Sequence, residues 1–172
     1  MMKSHNRTFS ITQIALLSCL AMIFSYVESV IPIPIGIPGI KLGIANLVIL
    51  VILYESDFKT AMSVNLIRIA ISALLFTGLF GAMYSFAGGI SSLLFMYLLK
   101  STDKFSIIGV SMAGGVIHNL AQLSVAAAII ETPKLFLYFP VLLFSGLACG
   151  IGIGIISFFI IEKLPYDIKS EF

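Results

Sequence analysis

Long apolar stretches separated by short polar breaks dominate the chain. A bilayer crossing takes about 20 apolar residues. Stretches of that kind run over about Phe9–Val30, Phe58–Leu79, Ala82–Leu99, Phe105–Ile130 and Leu135–Ile161. Another, Leu42–Tyr54, is shorter. At about 1.5 Å per residue it covers only about 20 Å, so it must be tilted, extended by its flanks or surrounded by other helices. The pattern predicts an all-α membrane protein, a compact bundle of six transmembrane helices. The breaks are too short for a linker, so residues 1–172 read as one domain.

One break is unlike the others. Ile31–Ile40 reads IPIPIGIPGI and is made of apolar residues, Gly and Pro alone. Proline lacks a backbone N–H and fixes φ, so Pro32, Pro34 and Pro38 exclude a regular helix here. Surface loops are normally polar. An apolar, irregular segment that runs straight into a lipid-compatible helix must press on protein or on the membrane interface. Ile31–Lys41 is therefore expected to act as a lid over a site in the bundle.

Composition agrees with a membrane location. The chain is 59% hydrophobic and 10% charged, with a mean hydropathy of +1.12. Soluble domains carry about 25% charged residues. A net charge of +2 with scattered lysines gives no basic patch, which excludes a nucleic-acid partner. With the N-terminus inside, Lys3, Arg7, Lys59, Lys100, Lys104, Lys163 and Lys169 are cytoplasmic and only Lys41 and Lys134 are outside. That bias places both termini in the cytoplasm of a multi-pass cell-membrane protein, with the Pro/Gly-rich loop on the outer face. Cys19 and Cys149 lie in apolar stretches and read as small buried hydrophobes. No CxxC or Cys/His spacing suggests a metal or other cofactor. The basic N-terminus leads into a full span rather than a cleaved signal peptide.

Polar residues inside the spans carry the chemistry. An ionisable group there costs roughly 2.5–3.5 kcal/mol on insertion scales and faces the bundle interior. Arg68 falls near mid-depth, with Asn65 and Ser72 on its helix face. His118 falls at similar depth, with Asn119 adjacent and Gln122 one turn outward. Asn46 and Glu28 lie in the outer halves of their spans. The convergence predicts a polar pocket of Arg68, His118, Asn119, Gln122, Asn46, Asn65 and Glu28 beneath a lid that includes Pro32, Pro34, Pro38 and Lys41. Arginine offers five donors in a planar fork and suits carboxylate or phosphate. The plainer alternatives are a structural tie between Arg68 and Glu28, and amides and His118 that only join helices.

Small residues recur at four-residue spacing. Ala15-xxx-Cys19 and Ala21-xxx-Ser25 in the first span let another helix approach closely. Glycines cluster at Gly88–Gly89, Gly114–Gly115 and Gly146–Gly154, where tight packing explains most of them. GIGIGI is not a dinucleotide fingerprint, because no strand precedes it.

PIPIGIPGIKLGIANLVILVILY, the Asn65–Arg68 helix and GGVIHNLAQL resemble the Gx transporter family, often labelled heptaprenyl diphosphate synthase component I. The six-helix plan is similar to the substrate-binding S components of energy-coupling factor transporters. That resemblance implies a subunit that binds a vitamin or precursor and works with a transmembrane coupling protein and cytoplasmic ATPases. It also implies that Ala15/Cys19, a variant of the usual Ala-xxx-Ala motif, docks the coupling protein. The chain has no Walker A motif, so energy comes from a partner or an ion gradient. The synthase label meets a chemical objection. Asp57, Asp103 and Asp167 are isolated, and no DDxxD motif is present to hold magnesium diphosphate. Two readings follow. One is a transport subunit that captures a small polar or anionic molecule from outside. The other is a non-catalytic membrane accessory of polyprenyl diphosphate or quinone synthesis. His118 and Glu28 lack a nucleophile–base spacing that would support an enzyme.

Overall fold

The computed structural model describes residues 2–30 and 43–163. All of the regular structure in these residues is helical: α1 (Met2–Val30), α2 (Ile44–Glu55), α3 (Phe58–Ser72), α4 (Gly78–Lys100), α5 (Ile107–Ile129) and α6 (Phe139–Lys163). A π-helical turn, Ala73–Thr77, joins α3 to α4, and a 3-10 turn, Pro133–Tyr138, leads into α6.

Four helical runs are long and apolar enough to cross a membrane: Ile11–Val30, Phe58–Lys100, Ile107–Ile129 and Pro133–Lys163. The second is 43 residues long, twice what a crossing needs. It does not run straight. A Cβ at Gly89 would lie 3.2 Å from atoms of Asn65 and Ile69, so α4 folds back along α3. The reversal falls at Gly78, with φ +65° and ψ −173°, a conformation that side chains disfavour. The two sequence-predicted spans therefore correspond to one helical hairpin.

Polar punctuation sets the other ends. Asp57 begins α3 by accepting from the Thr60 N–H at 3.0 Å, and Ser106 begins α5 by accepting from the Gly109 N–H at 3.1 Å. Both satisfy donors that a helix start leaves unpaired. The Thr60 bond is the main reason the Asp57 carboxyl is held below its ordinary pKa.

The short helix α2 forms the centre. It packs on α1, α3, α4 and α6, and Ala45, Val48, Ile49, Leu50, Ile52 and Leu53 are almost fully buried. Of the three ways such a short segment can be accommodated, being surrounded by other helices is the one observed. Its C-terminal end is closed by Lys100, whose Nζ donates to the Leu53 carbonyl and sits 4.9 Å over the Tyr54 ring. The core continues through Ala21, Ala61, Val64, Leu93, Met96 and Val110.

The most extensive contact is between α5 and α6. There the backbones touch: a Cβ at Gly115 would overlap the Gly146 carbonyl oxygen, and one at Gly150 would lie 2.6 Å from Met112 Cα. Small residues allow such approach where lipid supplies no hydrophobic drive. The outward faces carry large apolar side chains, among them Leu16, Leu74, Leu79, Phe144 and Phe159. The molecule is an all-helical membrane protein.

Candidate functional site

The site lies where α1 ends, α2 begins and the π-helical turn closes the α3–α4 hairpin. Arg68 is its centre. It is 8% exposed, and a buried charge needs partners. Its Nη2 donates to Asn65 Oδ1 at 2.7 Å, one turn earlier on α3. Its Nη1 donates to Ser25 Oγ of α1 at 3.3 Å. Ser25 Oγ in turn donates to the Ala21 carbonyl at 3.0 Å, which orients its lone pairs toward the guanidinium. Glu28, one turn further along α1, interacts electrostatically with Arg68. The Glu28 carboxylate also accepts from the Gly43 N–H at the start of α2.

A cavity of about 70 Å³ opens beside Arg68. Its walls come from α1 (Ser25, Glu28), α2 (Asn46), α3 (Arg68, Ser72), the π turn (Phe76, Thr77), α4 (Ser85) and α5 (His118, Gln122). A second cavity of about 20 Å³ lies beneath it, lined by Ser92, Ser111, Asn119 and Cys149. Gly43, Asn46 and His118 line both, so they form the partition. Gly88 and Gly89 let α4 approach: a Cβ at Gly88 would meet His118 Cε1 at 2.9 Å.

Several buried polar atoms have no protein partner: Arg68 Nε, Gln122 Nε2 and Ser72 Oγ on residues of this cavity's wall, and Asn65 Nδ2 behind it, toward Gly89 of α4. Asn65 has its oxygen turned to Arg68, which leaves the amide nitrogen over. Three of the four atoms are obligate donors and the hydroxyl can donate. Such atoms cost about 1–3 kcal/mol each if left unmet. The three on the wall together ask for an acceptor-rich group.

The predicted site residues separate into groups. Arg68, His118, Gln122, Asn46 and Glu28 come together on the larger cavity. Asn65 lies behind Arg68 and holds it, and is not in the cavity wall. Asn119 lines the smaller cavity, and its Nδ2 donates to the Leu142 carbonyl of α6 at 2.8 Å. Pro32, Pro34, Pro38 and Lys41 lie outside the described residues. The chain on either side of them, Glu28 and Gly43, belongs to the cavity wall. Ala15 and Cys19 are exposed, whereas Ser18, Ala21 and Ser25 of the same helix are buried. The two small-xxx-small pairs of α1 therefore face different ways.

Ser25, Ser72, Phe76, Thr77 and Ser85 are wall residues that the sequence reading left out of the site. Ser72 shares a helix face with Arg68, and Ser25 stands one turn before Glu28, so spacing could have found both. Phe76 and Thr77 could not be found that way. A π turn carries an extra residue and shifts the facing of everything after it. Among the described residues no three His, Cys, Asp or Glu side chains gather as a metal site.

A family model described as heptaprenyl diphosphate synthase component I matches residues 17–160. Comparison with curated proteins and with solved structures returns no match.

Proposed function

The chain belongs to the heptaprenyl diphosphate synthase component I family, and from that premise we propose that it is a membrane-embedded substrate-binding subunit of a transporter. It captures a small polar or anionic molecule from outside for uptake. The observation that carries this reading is the buried Arg68 guanidinium with its Nε, and Gln122 Nε2 and Ser72 Oγ, unmet on the wall of a cavity. A purely structural arginine would spend its donors on protein acceptors. Here Arg68 anchors the anionic group, Asn65 positions Arg68, and Gln122, Asn46 and His118 bond the rest of the ligand. Asn119 fixes α5 against α6 beneath the ligand. Ile31–Lys41, with Pro32, Pro34, Pro38 and Lys41, acts as the lid.

In this reading α1–α6 make six crossings of the cell membrane with both termini in the cytoplasm, as the lysine bias favours. The cavity then opens outward. The exposed Ala15/Cys19 face of α1 supports docking of a transmembrane coupling protein that works with cytoplasmic ATPases.

The family description supports a second reading, a non-catalytic membrane accessory of polyprenyl diphosphate synthesis. It differs in partners. Affinity purification from the native membrane recovers a coupling protein and ATPases under the first reading, and a soluble prenyl synthase without ATPases under the second.

Mass spectrometry of small molecules that co-purify with the protein tests the binding role. A bound molecule is expected with the natural chain and absent from Arg68→Ala, which still purifies folded. Equal amounts on both proteins would remove the basis of the assignment.

A further inference from the structure

Ile69 follows Arg68, is 5% exposed, and forms part of two walls. One belongs to the polar cavity. The other belongs to an open groove of about 410 Å³ on the outside of the bundle, lined by apolar side chains alone. Cavity and groove lie back to back along three helices. On α3, Arg68 and Ser72 face the cavity while Ala70, with Ala73 at the start of the π turn, faces the groove. On α4, Ser85 faces the cavity and its neighbour Phe86 the groove. On α5, Gln122 lines the cavity and Val125, three residues on, lines the groove.

The groove has a sequence cause. Four alanines, Ala70, Ala73, Ala82 and Ala87, line it. Nearby outward positions carry Leu74, Leu75, Leu79 and Phe80. Size supplies the second observation. The polar cavity, about 70 Å³, has room for roughly five water molecules. Sites for whole drug-sized ligands run to about 300–1,000 Å³. It accommodates a head group and little more.

We propose that the molecule held at Arg68 is an amphiphile. A single anionic head, carboxylate or phosphate, meets Arg68, Gln122 and Ser72, and an apolar tail passes Ile69 into the alanine groove. This rests on the reading of the Arg68 cavity as a binding site and deepens it. The donors around Arg68 ask for oxygens, while the groove gives polar atoms nothing to bond. The groove faces lipid, so the tail reaches it from the bilayer without crossing water.

Photolabelling in proteoliposomes tests this, with hexadecanoic acid and hexadecyl phosphate as probes, each carrying a diazirine near the tail end. Adducts are expected to concentrate on Met83, Phe86 and Val125. Arg68→Gln should reduce those adducts roughly ten-fold, the weight of one charged hydrogen bond. Adducts on Ile156 and Phe159 of α6, which report the general lipid surface, should stay unchanged. Ala87→Phe, a change at a half-buried position of the groove wall, should displace the tail even where an Arg68 variant folds poorly. Unlabelled hexadecanoic acid should compete at concentrations more than about a hundred-fold below butanoic acid, because every further buried methylene strengthens the hold of the tail. Labelling spread evenly over α6 and the groove with both probes overturns the proposal, as does groove labelling indifferent to Arg68→Gln and Ala87→Phe. Equal competition by butanoic acid overturns the tail while leaving Arg68 as a binding residue. If natural small molecules co-purify equally with Arg68→Ala, the binding site itself fails.

Discussion

Arg68 donates its two hydrogen bonds to neutral oxygens, with the Glu28 carboxylate nearby, and the two bonds are unequal. The Asn65 bond is 2.7 Å and the Ser25 bond 3.3 Å. Asn65→Leu keeps the volume and leaves Nη2 unmet at a buried site, which should cost about 1–3 kcal/mol. Ser25→Ala should cost less. Thermal melting in detergent measures both, and ligand retention should fall in the same order. Asn119→Leu makes a useful contrast. Its amide ties α5 to the Leu142 carbonyl, so the expected loss is about 0.6 kcal/mol or somewhat more in stability, with retention at Arg68 nearly intact. A retention loss equal to that of Asn65→Leu would instead make Asn119 a direct ligand contact.

At the scale of elements, helix ends and helix contacts obey different rules. The start of α3 depends on one carboxylate. Asp57→Ala should destabilise by about 1 kcal/mol, and Asp57→Asn, which caps equally well, by far less. The Asp57 carboxyl has a lowered pKa in the folded protein. Its contribution is therefore present above the unfolded carboxylate pKa and fades as pH falls through the folded value. The Asp57→Asn variant should lack that acid-side loss, which melting at two pH values would reveal. The α5–α6 contact is governed by space. Gly115→Ala drives a methyl into the Gly146 carbonyl and should cost about 1–3 kcal/mol, as overpacking usually does. Gly152 has nothing within 4 Å of an added Cβ, so Gly152→Ala should be neutral or stabilising by up to about 1 kcal/mol. If both variants melt alike, close backbone approach is not what holds the pair.

The molecule as a whole can be tested by which side of the membrane each turn meets. Gly78 reverses a 43-residue apolar run, so the turn after it should face away from the turn at Ser101–Asp103. In a background with Cys19 and Cys149 replaced by serine, Leu79→Cys should react with an impermeant maleimide from outside. Thr102→Cys should react only after the membrane is opened. Labelling of both from one side would contradict six crossings. The same arrangement accounts for α2, which is too short to span alone and needs none of its surface for lipid.

Sequence alone determined the membrane class, the helical character and the polar residues of interest. Apolar length and the cost of a buried charge are properties of a residue and its neighbours in the chain. The depth of Arg68, His118, Gln122, Asn46 and Glu28 was legible because helical rise is constant, and these five share one cavity. Tertiary structure decided what depth cannot encode, namely which way each side chain faces at that depth. It turned Asn65 and Asn119 into supports, and Ala21/Ser25 inward while leaving Ala15/Cys19 outside. Through a π turn it brought in Phe76 and Thr77, whose positions no regular spacing predicts. It also set an apolar groove against the polar cavity across Ile69. Those relations arise between helices distant in sequence, and their registers are settled by backbone contacts such as Gly115 on Gly146, which exist only once the helices have packed.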